Sequence, residues 1–161
     1  GLMVNSGAPD SLALDGTGRR FGIVAARFHG AIVDRLLAGA EAALRTHGVA
    51  PADIRVVRVP GAWEIPAGLD ALARSGEYSA LVALGVLIRG GTMHFEVIAD
   101  QCSRGIAEVA LHRELPVTFG VLTCETMEQA EARAGGAEGN KGEEAALAAL
   151  EMASLVARLR T

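Results

Sequence analysis

The stretch from Ala80 to Ile88, ALVALGVLI, is a nearly unbroken apolar run. It is long enough for one strand buried on both faces, the kind found inside a parallel sheet. Arg89-Gly90-Gly91-Thr92 follows as a turn of small residues. Met93-His94-Phe95-Glu96 then opens a helical pattern with apolar positions at Phe95, Val97, Ile98, Ile106, Val109 and Ala110. A buried strand, a glycine turn and a helix start form a pocket-making unit. Glycines let the backbone come close to a ligand, and free N–H groups at a helix start attract anions. His94 stands at that mouth, where an imidazole can move protons near neutral pH.

The flanking sequence repeats this alternation. Arg20–Ala26 reads as a first strand. A helix pattern at Ile32, Leu36, Leu37, Ala40, Ala43 and Leu44 follows it and stops at Gly48, a natural C-cap. Ile54–Val59 is a second, β-branched strand. Pro60-Gly61-Ala62 turns into a helix from about Trp63 to Ser75, with Pro66 accommodated in its first turn. After the Ala80 strand and the Met93–His112 helix comes a fourth strand, Pro116–Leu122. Thr126 caps a short helix to about Ala134, with Glu128 and Glu131 in its early turns. The bend Gly135–Asn140 leads into a last helix from Lys141 to about Arg160. Four strands alternating with helices predict an α/β three-layer sandwich: a four-stranded parallel sheet covered by helices on both faces. Residues 1–19 lack periodicity and read as an N-terminal arm, leaving 20–161 as a single domain. Ligands of such sheets sit beyond the carboxyl ends of the strands, and every candidate position lies there: Phe28, Gly61–Glu64, Gly90–His94 and Thr123–Glu125.

Composition narrows the function classes. The 161 residues carry a net charge of −4, which gives nucleic-acid binding no electrostatic support. No apolar segment reaches transmembrane length and the N-terminus lacks signal-peptide features, so no membrane association is expected. Cys102 and Cys124 have no CxxC spacing and read as reduced packing residues of a cytoplasmic protein. No metal-ligand spacing is present, and neither a Walker A loop nor a GxGxxG fingerprint occurs.

Taken singly, the candidate residues support two readings each. The Gly90-Gly91-Thr92 turn fits a phosphate site or a tight connection without ligand. His94 fits a general acid/base or a solvated helix-start residue. Phe28 and Trp63 fit stacking platforms for a flat heterocycle or covers for the core. Glu64 fits an acceptor of ligand hydroxyls or a favourable charge at a helix start, and Arg133 a phosphate partner or a complement to a helix C-terminus. The last helix is apolar over a wider arc than one sheet face requires. That width points to subunit association, or to a deeply buried terminal helix.

Three longer motifs, PGAWEIP (Pro60–Pro66), ALGVLIRGGTMHFE (Ala83–Glu96) and AGGAEGNKG (Ala134–Gly142), occur in order. PVTFGVLT (Pro116–Thr123) and ARF (Ala26–Phe28) accompany them. From Arg20 to the last helix the chain resembles the lumazine synthase family of riboflavin biosynthesis, whose sheet is flavodoxin-like. The resemblance implies a transferase that condenses 5-amino-6-(D-ribitylamino)uracil with 3,4-dihydroxy-2-butanone 4-phosphate. The product is 6,7-dimethyl-8-ribityllumazine, with loss of phosphate and water. It further implies that Phe28 stacks on the pyrimidine and that Ala62, Trp63 and Glu64 hold the ribityl chain. Val86, Leu87 and Ile88 would contact the uracil through backbone groups. Gly91 and Thr92 would bind phosphate, and His94 would move protons. Phe119 and the catalytic Arg133 would close the pocket from a neighbouring subunit, with Lys141 near its edge. No metal or cofactor is implied, because imine formation and phosphate elimination call for proton transfer and charge stabilisation.

Three positions depart from the usual family pattern. Trp63 stands where Phe is usual, His29 replaces a common Asn, and Ala137 removes a basic residue. The resemblance also implies a homo-oligomer, either a pentamer or an icosahedral shell of pentamers; the short Gly135–Asn140 bend favours the shell. Riboflavin synthase is the further partner it suggests. Two competing readings are a shell protein selected for assembly and a flavin-binding module without turnover.

Overall fold

The computed structural model describes residues 14–161. Its central sheet is built from β1 (Phe21–Ala26), β2 (Ile54–Val59), β3 (Ala80–Ile88) and β4 (Val117–Cys124) in the order β2-β1-β3-β4, every pairing parallel. The described residues also form the α-helices α1 (Gly30–Thr46), α2 (Ile65–Ala73), α3 (His94–His112), α4 (Met127–Ala132) and α5 (Lys141–Leu159). The four-stranded parallel sheet with flanking helices is the α/β architecture that the strand–helix alternation predicts.

The period-2 pattern of the strands sorts the core into two layers. Phe21, Ile23 and Ala25 of β1, with Ala80, Val82, Leu84 and Val86 of β3, face α1 and α5. Val24 and Ala26, with Leu81 and Ala83, face α2 and α3, where Ile65, Leu69, Cys102, Ile106 and Val109 meet them. Both central strands are therefore apolar on both faces, the requirement of a strand covered by helices above and below. No buried charged side chain belongs to the core of the described residues.

Boundaries shift where local chemistry intervenes. Ala62–Glu64 forms a 3-10 turn ahead of α2, because Pro66 occupies the first helical turn and supplies no N–H. β4 runs on to Cys124, since β3 still offers a partner there (Ile88↔Cys124). The Gly135–Asn140 bend is a small antiparallel hairpin, β5 (Ala134–Gly136) and β6 (Gly139–Asn140), with Gly135 and Gly139 at φ 95° and 83°. Such angles suit glycine and strain other residues. Of the stretch read as an N-terminal arm, residues 1–13 lie outside the described residues. Leu14 is buried against the α1/α5 layer, and the Gly16 N–H donates to His47 O at 2.8 Å.

Helix α5 packs directly on α1. A Cβ on Gly142 would stand 2.0 Å from the carbonyl oxygen of Leu36, so only glycine permits the crossing. Asn140 locks it: its side-chain oxygen caps α5 by accepting from Glu143 N (3.0 Å), and its amide donates to Arg35 O in α1 (3.1 Å). Gly142→Ala should therefore destabilise the protein by about 3 kcal/mol through overpacking, against only ~1 kcal/mol gained from helix propensity. Thermal denaturation checks this, and an unchanged midpoint would mean that the two helices separate without cost.

Candidate active site

The carboxyl ends of β1 and β2 are held in register beyond the sheet itself. Arg27 N donates to Val59 O (2.7 Å) and Phe28 N to Pro60 O (3.1 Å), so the loop after β1 is pinned to the loop after β2. Arg58 braces the same corner: its guanidinium donates to the carbonyls of Ala25 and Ala26 (both 3.2 Å) and pairs with Asp34 at 2.9 Å. His29 turns the chain into α1 with φ 56° and ψ 43°, a left-handed conformation favoured by Asn, Asp and His among non-glycine residues. That backbone explains why an Asn suits this position and why a His can replace it. The Phe28 and His29 rings sit 4.5 Å apart, tilted.

A cavity of about 550 Å³ opens over this corner. Phe28, Ala62, Trp63, Glu64, Leu87, Ile88, Thr92 and His94 line it, joined by Phe95 and Ile98. Phe28 is 65% exposed and Trp63 56%, so neither aromatic covers the core. Glu64 precedes α2 without a side-chain capping bond, and its carboxylate borders the cavity. His94 is the first residue of α3 and exposed; its backbone N–H donates to Thr92 Oγ1 at 3.3 Å. Among the described residues its imidazole has no hydrogen-bond partner, which leaves both ring nitrogens for a ligand. The environment is apolar walls with a few polar groups, the usual make-up of a small-molecule site.

The register of β3 adds a feature that side chains alone do not show. Its pairing with β1 ends at Ala25↔Leu84, whereas its pairing with β4 continues to Ile88↔Cys124. Gly85, Val86, Leu87 and Ile88 therefore run past β1 with one backbone edge lacking a strand partner. That edge borders the cavity through Leu87 and Ile88 and can offer N–H and C=O groups to a planar amide-bearing ring. The Val86 side chain points away and is buried in the α1/α5 layer; only its backbone is placed to take part.

Phe119, Arg133 and Lys141 are not in that cavity. They line a second one, of about 520 Å³, with Thr123, Cys124, Gln129, Glu138 and Glu144, on the β4 side of the chain. The two cavities share no lining residue. Arg133 ends α4, where its guanidinium donates to Gln129 O at 3.0 Å. It thus complements a helix terminus and still faces the cavity. Burial pushes the Cys124 thiol up, partly offset by the Arg133 charge; burial alone pushes Cys102 to about 11. Gln129 fixes the approach to this half: its side-chain oxygen accepts from Glu125 N (2.8 Å), and its own N–H donates to the Thr126 hydroxyl (3.2 Å). The spacing Thr126-x-x-Gln129, a capping-box pattern, was the sequence signal for it. Phe95 and Ile98, also outside the candidate residues, adjoin His94 on the first turns of α3.

The comparisons with known proteins agree on one family. The family model for 6,7-dimethyl-8-ribityllumazine synthase matches residues 18–157. The 6,7-dimethyl-8-ribityllumazine synthase of Aquifex aeolicus (strain VF5) is 53% identical over 147 residues, spanning 91% of this chain and 96% of that protein. The chain belongs to the 6,7-dimethyl-8-ribityllumazine synthase family. A second member, from Anaeromyxobacter sp. (strain Fw109-5), is 51% identical over 144 residues, 89% of this chain and 88% of that protein. The matched region takes in both cavities and the hairpin between α4 and α5, so all the candidate residues of this family member fall within it.

Gly90 lines the first cavity, whereas Gly91, its neighbour in the turn, is not among the lining residues. A Cβ on either would meet nothing within 4 Å, and neither backbone has a positive φ. Gly91→Ala should therefore fold normally and gain up to about 1 kcal/mol by restricting the unfolded chain. Thermal melting checks this expectation, and a lowered midpoint would mean that the turn has no room for a side chain.

Proposed function

We propose that this chain condenses 5-amino-6-(D-ribitylamino)uracil with 3,4-dihydroxy-2-butanone 4-phosphate to 6,7-dimethyl-8-ribityllumazine, within riboflavin biosynthesis. The observation that carries the reading is the convergence of Phe28, Trp63, Glu64, Thr92 and His94 on one cavity beside the unpaired edge of β3, in a chain of this family. The pyrimidine stacks on Phe28, and its amide edge meets the backbone of Val86–Ile88. Ala62, Trp63 and Glu64 hold the ribityl chain, with the Glu64 carboxylate accepting from its hydroxyls. Gly91 and Thr92 take the phosphate of the ketone at the start of α3. The free amine on the uracil adds to the ketone carbonyl and loses water to form an imine. Phosphate is eliminated, and the ribityl-bearing nitrogen closes the second ring with loss of a second water, while His94 carries protons in these steps. Holding two substrates in one cavity supplies much of the acceleration.

Arg133, Phe119 and Lys141 enter from a neighbouring subunit in this reading. Its support is that these residues line a separate cavity on the same chain, and that apolar side chains stay uncovered on the helices beside both. Met93 and Val97 at the start of α3, and Met152 and Leu159 on α5, are exposed. An assembly would cover them, in a pentamer or in a shell of pentamers. A role in assembly alone would not require the Phe28–Glu64–Thr92–His94 set.

The direct test is to mix the two substrates with the protein and follow the fluorescence of the lumazine product; no product with an assembled protein would defeat the proposal. Arg133→Ala should raise KM for the phosphorylated ketone about 10- to 100-fold, the range for one charge-assisted hydrogen bond. KM for the ribitylaminouracil, which carries no phosphate, should hardly move; equal losses for both would make Arg133 a structural residue.

His94→Ala should lower kcat about a hundredfold, the lower end for acid/base groups, without loss of assembly. Oligomers refolded from a mixture of the His94→Ala and Arg133→Ala chains should regain part of the activity, because some interfaces then unite two intact halves. Recovery of none, with mixing verified by mass, would place the pocket within one chain.

A further inference from the structure

The turn that carries the proposed phosphate and proton-transfer groups has almost nothing packed against it. Residues 89–94 are all exposed, and a Cβ on Gly90 or Gly91 would meet no atom within 4 Å. Its one internal tie is the 3.3 Å bond from His94 N to Thr92 Oγ1. A turn held by neither core packing nor a hydrogen-bond ladder takes its shape from its two ends.

Those ends are joined by a single side chain. Arg89 leaves β3 with its N–H donating to Cys124 O at 2.8 Å, which carries the β3–β4 pairing one step past the sheet. Its guanidinium then pairs with the Glu96 carboxylate in the first turn of α3. Its Nε lies 2.8 Å from Glu125 Oε2, at the turn between β4 and α4. The guanidinium also sits over the Phe95 ring, 4.8 Å from its centroid, and Phe95 lines the substrate cavity between His94 and Ile98. A planar cation with several donors is suited to hold two carboxylates and an aromatic face at once.

We propose that Arg89 is a positioning residue: by bridging Glu96 and Glu125 over Phe95 it closes the Gly90–Met93 turn and sets where Thr92 and His94 stand in the cavity. The claim deepens the proposed lumazine synthase reading and rests on it for its kinetic consequence. The Arg89 and Glu96 side chains are 40% and 45% exposed, and exposed pairs contribute little to overall stability. The bridge therefore shapes the turn and leaves the core to itself. Glu125 extends its reach, since the residues after it, Thr126 and Gln129, start the helix that ends in Arg133.

The test uses the assembled protein with Arg89→Ala, Arg89→Lys and Glu96→Gln. Hydrogen exchange at the Val97 amide, which donates to Met93 O at 3.2 Å and so closes the far end of the turn, should accelerate about tenfold or more in Arg89→Ala, with the thermal midpoint held. KM for the phosphorylated ketone should rise and kcat should fall, together about 10- to 100-fold, the loss expected from a displacement of about 1 Å. KM for the ribitylaminouracil, held by Phe28, Trp63 and Glu64 across the cavity, should stay within about twofold. Arg89→Lys, which keeps the charge but loses the fork, should recover part of the loss. Glu96→Gln should shift exchange in the same direction, and it carries the test if Arg89→Ala fails to fold. Unchanged exchange at the Val97 amide overturns the proposal, as does an equal rise of both KM values with a fall in the melting point. If the unmodified protein makes no lumazine, the enzymatic reading fails by itself, and the exchange measurement still decides the role of Arg89.

Discussion

The approach of α5 to α1 is governed by backbone meeting backbone. At Gly142 the helix lies so near the Leu36 carbonyl that no side chain fits between them, and Asn140 spans the remaining gap by capping one helix while donating to the other. Several placements follow from that contact. The β5–β6 hairpin must fold back sharply to deliver α5 there, which accounts for positive φ at Gly135 and Gly139. Ala145, Ala146 and Ala149 are small because the helix lies flat on α1 and the sheet. Thr118 in β4 donates to Ala145 O at 2.8 Å, so the edge strand is fastened to the same helix. Lys141 and Arg133, on either side of the hairpin, are thereby fixed against β4, with the Lys141 N–H donating to Arg133 O at 2.8 Å.

Two arginines play similar mechanical parts at the carboxyl ends of the strands. Arg58, on edge strand β2, reaches over the end of β1 to its carbonyls and to Asp34 in α1. Arg89, at the end of β3, reaches to α3 and to the turn after β4. Each ties a strand end to the helix start beside it. The core beneath is free of charged side chains among the described residues, so ionic contacts lie at the surface, both at this rim and between α2 and the end of α3, where Arg113 pairs with Asp70 at 2.7 Å. Such placement keeps ionic groups near water, where desolvation costs little.

Much of this was legible because the signals were local and periodic. Strand and helix alternate with apolar periods of two and of three to four, and Gly48, Pro66 and Thr126 punctuate them as their backbone chemistry requires. Chemistry-bearing residues could be named because they follow strand ends, where a parallel sheet leaves space. Tertiary facts were not legible. The sequence does not say that β3 outruns β1, so the buried Val86 and the cavity-facing Leu87 look alike in it. Nor does the triplet Arg89, Glu96 and Glu125 have any spacing that announces a contact, since Glu125 joins it only through the β3–β4 register. The division of the candidate residues between two cavities depends likewise on strand order. The hairpin at Gly135–Asn140 was read as a bend because its strands, Ala134–Gly136 and Gly139–Asn140, are too short to show alternation.

The exposed indole of Trp63 has an optical consequence. The chain contains one tryptophan and one tyrosine, and they occupy opposite kinds of place: Tyr78 is buried beneath the sheet's α2/α3 layer, while Trp63 stands open at the cavity. Emission from this protein therefore comes from a fluorophore already bathed in water. In a single chain unfolding changes its surroundings only modestly, whereas a ligand settling against it removes water from one face of the ring. Intrinsic fluorescence will thus follow occupancy of the cavity more sensitively than it follows the integrity of the fold.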